Sequence, residues 1–520
     1  MKMVKSLILG SAAALVAMSG AQAADLPVKA KAVEYVRICS LYGAGFFYIP
    51  GTDTCIKLGG YLRVDTTFNG GIYDGPAWSG DLGQGNRYRD YFAARSRMAL
   101  TVDTRTATEY GVVRTFGQAD FQFSTLGASR NPNVLNTNLG NNTQLLDSAG
   151  GGYVAVELAF IQFAGFTFGK SASAYATPWH GYPGNNTSFL LGGHDTVTGV
   201  NNIQYTAQFG NGVSGTIGLD DPTVFNRTSI FNLSIGLPTT GTGTIASAYG
   251  GTHAPDIVGN IRVDQAWGLF QISAAGHLVN ASYNNLTAAT AAPNALSEIS
   301  GHPDDKWGGS VMAALQIKNI PTGAGDDIKI DASYSKGDTK NVISTSSTSP
   351  SFLIYSPQGG GTVAAGAYQS LGFGATTDSV YLPVANGGDG VQHLTTAYGV
   401  RGAFNHNWDP YWSSSLFGSY SSVRYDGTAK VLYCGAFALA VGAQATYTCN
   451  PDFNVAELGV VTRWTPVKNL TFSAEAMWFH LDQKFTGSAV LGAAAPKPTA
   501  VYNFADQDVF SFNVRAQRNF

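Results

Sequence analysis

Apolar and polar side chains alternate through the last segment of the chain, VFSFNVRAQRNF. Phe510, Phe512, Val514, Ala516 and Phe520 share one parity, and Ser511, Asn513, Arg515, Gln517 and Asn519 share the other. Successive side chains of a β-strand point to opposite faces, so this segment predicts a strand with an apolar and a polar face. Only Arg518 breaks the apolar face, near an end where a long basic side chain can reach polar surroundings. A half-buried strand of a soluble sandwich and a strand of a lipid-embedded barrel both fit this pattern.

The same alternation recurs from Ile56 to the end of the chain. In the first segment, one parity carries Ile56, Leu58, Leu62 and Val64, and the other carries Lys57, Tyr61, Arg63 and Asp65. Sixteen segments are predicted as strands by this criterion: 56–65, 95–105, 113–123, 153–163, 166–170, 201–209, 213–220, 256–264, 269–280, 308–318, 327–336, 395–406, 412–425, 454–464, 470–485 and 508–520.

The connections between these segments alternate in length. Short turns lie near 106–109, 164–165, 210–212, 265–268, 319–326, 407–411 and 465–469. Long polar loops lie near 69–91, 124–152, 171–200, 221–255, 281–307, 337–394, 426–453 and 486–507. An outer-membrane barrel has tight periplasmic turns on one rim and long extracellular loops on the other, whereas a sandwich has no reason to sort its loops. We therefore expect an all-β fold, a sixteen-stranded antiparallel transmembrane β-barrel over residues 56–520.

The first 23 residues have the features of a secretory signal peptide. Lys2 and Lys5 precede an apolar run, and Ala21-Gln22-Ala23 forms a small-residue cleavage site. Cleavage leaves 29 basic and 34 acidic side chains, which argues against nucleic acid as a partner. No later segment approaches the roughly 18 uninterrupted apolar residues of a spanning helix. Charged residues make up only 12% of the chain, which suits a wall that faces lipid outside and keeps its charges inside.

Four cysteines form two local pairs. Cys39 and Cys55 lie in the segment 24–55, which we expect to be a periplasmic N-terminal segment with a disulfide loop. Cys434 and Cys449 flank a second short polar loop. In an exported protein such pairs indicate disulfides, and metal binding is the weaker alternative because no histidine lies near the first pair.

Six basic residues share the polar parity of the first three strands: Lys57, Arg63, Arg95, Arg97, Arg105 and Arg114. On the lipid side, one such residue near the midplane would cost about 2–4 kcal/mol, so we expect all six to line water. Two interpretations stay open. The residues form a basic wall that filters ions, or they form structural ion pairs with the carboxylates of the same parity, Asp65, Asp103 and Asp120. The first interpretation predicts that these arginines can be replaced with little loss of folding, because the positions are wet.

Catalytic and cofactor motifs do not emerge from the sequence. Residues 165–171 resemble a phosphate-binding loop, but three residues separate the glycines where that motif needs four. The eight histidines show no metal-ligand spacing. We therefore expect no enzyme activity, no metal and no cofactor.

Several stretches resemble the porins of alphaproteobacterial outer membranes: CSLYGAGFFYIPGTDTCIKLGGYLR, RVDQAWG, HNWDPYWSSSLFGSY, RWTPVKNL and the ending VRAQRNF. The resemblance spans essentially the whole chain after the signal peptide. It implies a trimeric sixteen-stranded barrel whose third long loop folds into the lumen and narrows it. By strand count that loop is residues 171–200, directly after Lys170, and it departs from the family's usual acidic loop because Asp195 is its only carboxylate.

These observations together predict a channel in the outer membrane of a Gram-negative bacterium, through which small hydrophilic solutes and ions diffuse passively. Candidate residues of the lumen and its constriction are Lys57, Tyr61, Arg63, Asp65, Arg95, Arg97, Arg105, Arg114, Asp120, Lys170, His180 and Asp195. A sugar-selective channel is the alternative suggested by aromatic and histidine residues of the third loop. Less favoured alternatives are an outer-membrane hydrolase and an adhesin that uses the loop 337–394. Expected partners are two further copies of the chain, lipopolysaccharide, and the barrel-assembly machinery acting on the strand that ends at Phe520.

Overall fold

The computed structural model describes residues 37–70, 92–124, 151–186, 190, 197–223, 226–237, 247–288, 290–343, 351–356, 369–441, 446–492 and 499–520. The predicted signal peptide, the following residues 24–36, and Asp195 of the third loop lie outside these ranges.

In addition to the short strand Phe47–Tyr48, the main sheet of the described residues contains sixteen antiparallel barrel strands. They are β1 (Thr54–Phe68), β2 (Phe92–Thr108), β3 (Gly111–Ser124), β4 (Gly151–Phe163), β5 (Phe166–Ser171), β6 (Val200–Gly210), β7 (Val213–Asp220), β8 (Asp256–Gln265), β9 (Gly268–Val279), β10 (Lys306–Lys318), β11 (Asp327–Lys336), β12 (Thr396–Asn407), β13 (Trp412–Arg424), β14 (Phe453–Val467), β15 (Leu470–Gln483) and β16 (Gln507–Asn519). Each overlaps one predicted segment, so the prediction of a sixteen-stranded barrel is confirmed.

The first and last strands close the barrel. β1 pairs with β16 from Tyr61 opposite Asn519 to Phe68 opposite Phe512. Beyond this ladder, the backbone N–H of Phe520 donates to Gly60 O at 3.1 Å, and Gly60 N–H donates to Phe520 O at 3.3 Å. Gly60 has a φ of 149°, and a Cβ built there would lie 1.9 Å from the carbonyl oxygen of Ala99 on β2. A side chain at this position would therefore push β1 away from β2 close to the seam.

Side chains alternate between the outer face and the lumen as the sequence pattern predicts. On β1, Leu62 is 51% exposed on the outer face, and Asp65 on the other parity is 2% exposed. On β16, Phe512 is 42% exposed, whereas its neighbour Asn513 is 2% exposed. The apolar parity therefore forms the outer surface of the closed sheet.

A β-bulge interrupts the alternation on β4. Gln118 of β3 pairs with Leu158 and Ala119 pairs with Val156, so Glu157 is an extra residue in the ladder. Val154 and Val156 are exposed on the outer face, and Glu157 is buried on the inside. The bulge turns a carboxylate toward the lumen at a point that the third loop also reaches.

The long connection after β11 differs from the polar loop predicted for 337–394. The strands Ser351–Ser356 and Ser370–Ala375 join Ser488–Leu491 and Ala500–Phe504 in a second sheet, here called the cap. Its buried side chains pack against inward-facing residues near the long-loop ends of β14, β15 and β16, namely Phe453, Phe479 and Val509. The prediction of an open polar loop is therefore wrong for this stretch, because its apolar residues cover apolar residues of the inner wall.

The loop between β13 and β14 also differs from the prediction. A short polar loop was expected between Cys434 and Cys449, but the helix Gly427–Val441, here α2, carries Cys434. Its side chains Tyr433 and Phe437 are buried in the same apolar core as the cap. The other α-helix of the described residues, α1, is the single turn Ser297–Ser300.

Both predicted disulfides are present. Cys39 bonds Cys55 and Cys434 bonds Cys449, with Cα–Cα distances of 6.0 and 5.7 Å. In the N-terminal unit, which ends at Ile56, the short strand Phe47–Tyr48 pairs with Cys55 and Ile56.

In the described part of the chain, no helix has the length and apolar character needed to cross a membrane.

A buried polar cluster joins two long loops to the ends of β8 and β9. His277 of β9 contacts Asp256 of β8 through Nδ1 (2.6 Å) and the Tyr249 hydroxyl through Nε2 (2.8 Å). Tyr249 donates to Asp378 Oδ2 at 2.9 Å, and the backbone N–H of Thr339 donates to Asp378 Oδ1 at 2.7 Å. Burial, followed by the charge of Asp378, holds the pKa of Tyr249 well above its usual range, so its hydroxyl keeps the proton that it donates. Asp378 therefore connects the loop before β8 with the loop before β12.

We expect deletion of Phe520 to lower the yield of folded barrel far more than deletion of Ala385, which is exposed in a long loop. The first deletion removes the paired backbone groups at the seam, and unpaired backbone groups are costly in hydrocarbon. Outer-membrane yield and the gel mobility of the folded form measure the effect. Equal yields for the two deletions would show that the terminal residue does not contribute to closure.

We expect Asp378→Asn to loosen the two loops while the barrel stays folded. Donors now reach both carboxylate oxygens of Asp378, and the variant would replace one oxygen with an NH₂ group that cannot accept. Each buried donor left without an acceptor costs about 1–3 kcal/mol. Limited proteolysis followed by mass spectrometry should show faster cleavage before β8 and before β12. Asp389→Asn is the matched control, because Asp389 is exposed in the same long connection. Equal cleavage of the two variants would contradict the role of Asp378.

Candidate functional site

The candidate site is the inner wall of the barrel together with the third long loop. Here the basic wall means six arginines on the inward-facing parity of β16 and β1–β3: Arg63, Arg95, Arg97, Arg105, Arg114 and Arg515. The inward loop means residues 172–199, of which 187–189 and 191–196 lie outside the described ranges.

Arg95 and Arg97, which lie near the long-loop end of β2, form buried ion pairs. Arg95 Nη2 lies 2.9 Å from Asp65 Oδ2, and both side chains are 1% exposed. Arg515 Nε lies 3.6 Å from the same oxygen. Arg97 Nη1 lies 2.8 Å from Asp120 Oδ2. The expectation that all these positions are wet is therefore wrong for Arg95, whose guanidinium is enclosed by its partners.

The arginines nearer the short turns are more open to water. Arg105 and Arg114 both reach Asp103 at 3.0 Å, and more than a quarter of each arginine side chain is exposed. Arg114 Nη1 also donates to Gln162 Oε1 at 2.8 Å. Among the described residues, two cations share one carboxylate here.

Arg63 is the arginine of the wall on β1, two residues before Asp65. Its Nε donates to Gln517 Oε1 at 2.8 Å, and its guanidinium lies over the Tyr61 ring at 4.5 Å. Both of these contacts are to neutral groups. Lys57 has the same parity near the start of β1 and is exposed.

Arginines outnumber carboxylates in the described part of the basic wall. Six arginines there face four carboxylates, Asp65, Asp103, Asp120 and the bulged Glu157. The ion pairs of the structural interpretation are present, and an excess of arginines is what the filtering interpretation requires.

Lys170 does not join this wall. It shares its parity on β5 with Phe166 and Phe168, which are exposed on the outer face. Its register partner Ala159 is likewise on the outer parity, and its ammonium donates to Val156 O at 2.5 Å. The prediction that Lys170 lines the pore is therefore contradicted by the strand register.

The inward loop lies along the inner wall far from where it leaves the sheet. Asn405 Nδ2 of β12 donates to Pro183 O at 3.1 Å, and Arg401 Nη1 donates to Leu190 O at 3.3 Å. The backbone N–H of Asn186 donates to Glu475 Oε2 of β15 at 2.5 Å. The loop begins after β5, so these contacts place it across the barrel from its origin.

Two apolar contacts fix the loop side chains. Tyr175 and Trp179 pack with Val258 and Met312 on β8 and β10. Leu190 packs against inward-facing residues of β12–β15: Ala403, Phe417, Val461 and Met477.

The bulged Glu157 receives the returning end of the loop. Thr198 Oγ1 donates to Glu157 Oε2 at 2.7 Å, and Gly199 N–H donates to Glu157 O at 3.0 Å. Asp120 and Arg97 lie within electrostatic range of this carboxylate. Glu157 therefore joins the loop to the edge of the basic wall. His180 is exposed on the loop, and Asp195 lies outside the described residues.

Sequence reasoning missed the residues that hold the loop, namely Glu157, Arg401, Arg463 and Glu475. Parity identifies Arg401, Arg463 and Glu475 as inward-facing, but it cannot tell which inward residues the loop reaches. Arg463 shows this, because its guanidinium donates to the carbonyl oxygen of Gly184, a contact that depends on how the loop crosses the lumen. For Glu157 parity itself fails, because the bulge shifts the alternation by one residue.

A family model described as "Porin subfamily" matches residues 25–513 of the chain. The chain belongs to this porin family. Together with the Brucella relatives described next, this match confirms the resemblance to alphaproteobacterial porins and the placement of the barrel in the outer membrane of a Gram-negative bacterium.

Two Brucella proteins illustrate the relationship of this porin to others. It is 36% identical to the porin Omp2b of Brucella suis over 272 residues, which cover 51% of this chain and 64% of that protein. It is also 36% identical to the porin Omp2b of Brucella abortus (strain 2308) over 274 residues, which cover 51% of this chain and 63% of that protein. The matched region thus spans less than two thirds of either relative.

Among solved structures, the outer membrane channel DcaP of Acinetobacter baumannii resembles this porin with a TM-score of 0.52. The alignment covers 91% of this chain and 99% of that one at 14% identity. At this identity the likeness shows the barrel fold alone.

We expect Asp65→Asn to destabilise the porin by about 3 kcal/mol, because breaking a buried ion pair leaves the arginine charge uncompensated. The urea midpoint of the folded barrel in lipid measures the change. Asp53→Asn, at an exposed position of the N-terminal segment, is the control. In the double variant Asp65→Asn with Arg95→Gln, part of the loss should be recovered. A midpoint for Asp65→Asn equal to that of the control would contradict the pairing.

Proposed function

We propose that this porin forms a passive aqueous channel for small hydrophilic solutes and ions. The observation that carries the proposal is the contrast between the two faces of the closed sheet. Its outer face is largely apolar, and its inner face carries many charged groups, among them the six arginines of the basic wall and the four carboxylates that they face. Charged groups on the inside of a sixteen-stranded wall require water, and a barrel of this size has room for it. No catalysed step is part of the proposal.

The inward loop and the basic wall form the selective part of the proposed channel. The loop lies against β6 and β8–β15, whereas the basic wall occupies β16 and β1–β3. A passage between them brings solutes past a face with excess positive charge. Such a face favours anions over cations within about a Debye length, roughly 8 Å at physiological salt.

The assembly state belongs to the same proposal. We infer a homotrimer, because the resemblance to alphaproteobacterial porins implies a trimeric barrel. Interactions with lipopolysaccharide and with the barrel-assembly machinery stay predictions from the sequence.

We expect the double variant Arg63→Gln with Arg114→Gln to shift ion selectivity toward cations. One charge acts on an ion about 6 Å away with roughly 0.7 kcal/mol in water, so after screening each replacement should change the anion-to-cation ratio roughly threefold. The reversal potential of single channels in a salt gradient measures this ratio.

The matched control is Arg518→Gln, which removes the same charge from the apolar parity of β16 and should leave the reversal potential unchanged. If the double variant behaves like this control, the basic wall is structural only. Reconstituted porin that conducts no ions would contradict the channel itself, and the adhesin interpretation would then be favoured.

A further inference from the structure

A recess of about 520 Å³ lies between the inward loop and the inner wall of β6–β9. The first part of the loop, from Ala172 to His180, forms one side of it. Inward-facing side chains near the short turns of these strands form the other side. The volume falls within the roughly 300–1,000 Å³ typical of small-molecule sites.

Three wall amides hold the loop backbone above this recess. Gln204 Nε2 donates to Ala172 O at 3.4 Å. Asn260 Nδ2 donates to Ala174 O at 2.6 Å, and Gln271 Nε2 donates to Ala176 O at 2.7 Å. A loop carbonyl can only accept, and the oxygen of a side-chain amide cannot donate, so each amide must turn its NH₂ group toward the loop. The carbonyl oxygens of these amides remain for other partners.

The polar atoms at the recess include a buried acceptor that has no hydrogen-bond partner among the described residues. Gln204 Oε1 is buried there without a hydrogen bond from any described residue. Gln208 and His180 also line the recess, and both are exposed. A buried acceptor without a donor is costly, so a ligand or water that donates to it is favoured.

The charges at the recess disfavour cations. Asp264 is its carboxylate, and both Arg262 (3.1 Å) and Lys318 (3.7 Å) reach this one group. The positive excess works against a cationic ligand, and the amide oxygens work against an anionic one. A neutral molecule rich in O–H donors satisfies both conditions.

We propose that this recess is a binding site for neutral polyhydroxylated solutes of mono- or disaccharide size. The proposal rests on the proposed channel function, because solutes reach the recess through the lumen. Hydroxyl groups donate to Gln204 Oε1 and Asn260 Oδ1, while the Gln208 amide and the His180 ring supply further contacts at the open side. Each hydrogen bond replaces one to water, so the affinity is weak, with a Kd of about 1 mM.

Maltose added to single channels in a planar bilayer tests the site. We expect a saturable reduction of the ion current, half complete near 1 mM. In Gln204→Leu with Gln208→Leu, the half-saturating concentration should rise at least about fivefold, because two polar contacts are lost. Gln208→Leu alone gives a second test that does not touch the loop anchors. The control is Gln316→Leu, an inward-facing amide on β10 that does not line the recess, and its maltose block should match that of the wild type.

The proposal would be overturned if wild-type channels conducted ions but showed no saturable block by maltose. It would also be overturned if maltose blocked the recess variants and the wild type equally. Block by choline but not by maltose would also overturn it, because the recess would then select cations. Failure of the channel function is a separate outcome, recognised by the absence of any ion current. In that case the fluorescence of Trp179, which lines the recess, still reports maltose binding to folded porin in detergent.

Discussion

The structure depends on one constraint: in hydrocarbon every backbone N–H and C=O must find a partner within the protein. A sheet meets it only by closing, and here closure is the pairing of β1 with β16 and of Gly60 with Phe520. Once the sheet is closed, its two faces become lipid side and water side. The strict alternation of side chains then follows from the pleat.

Closure also explains how charge is arranged. On the inner face, carboxylates and arginines pair, and in the described part of the basic wall the arginines outnumber the carboxylates. The inward loop is held by the same kinds of groups. Amides and arginines of the wall donate to its carbonyl oxygens, and Glu475 and Glu157 accept from its N–H and hydroxyl groups. The wall thus positions the loop and also lines the passage beside it.

The number and order of strands could be predicted from sequence, because a lipid-facing strand shows period 2 along its whole length. Parity also identified Asp65, Asp103 and Asp120 as partners of the arginines. It failed where local geometry or tertiary contacts intervene. The bulge at Glu157 reverses the parity of β4, and Phe352 and Leu353 gave no sign that their loop would pack on Phe453. Lys170 directly precedes the third loop, but it shares the outward parity of Phe168, so it lies on the outer face.

The most direct test asks whether adjacent residues of one strand face water and lipid. All four native cysteines are in disulfides, so Arg63→Cys and Leu62→Cys each introduce a single free thiol on β1. A charged, membrane-impermeant thiol reagent should modify Arg63→Cys and change the single-channel current. Under the same conditions Leu62→Cys should stay unmodified and should react only with a lipid-soluble maleimide. Equal reactivity of both thiols, or modification of Leu62→Cys alone, would contradict a closed barrel with an aqueous lumen.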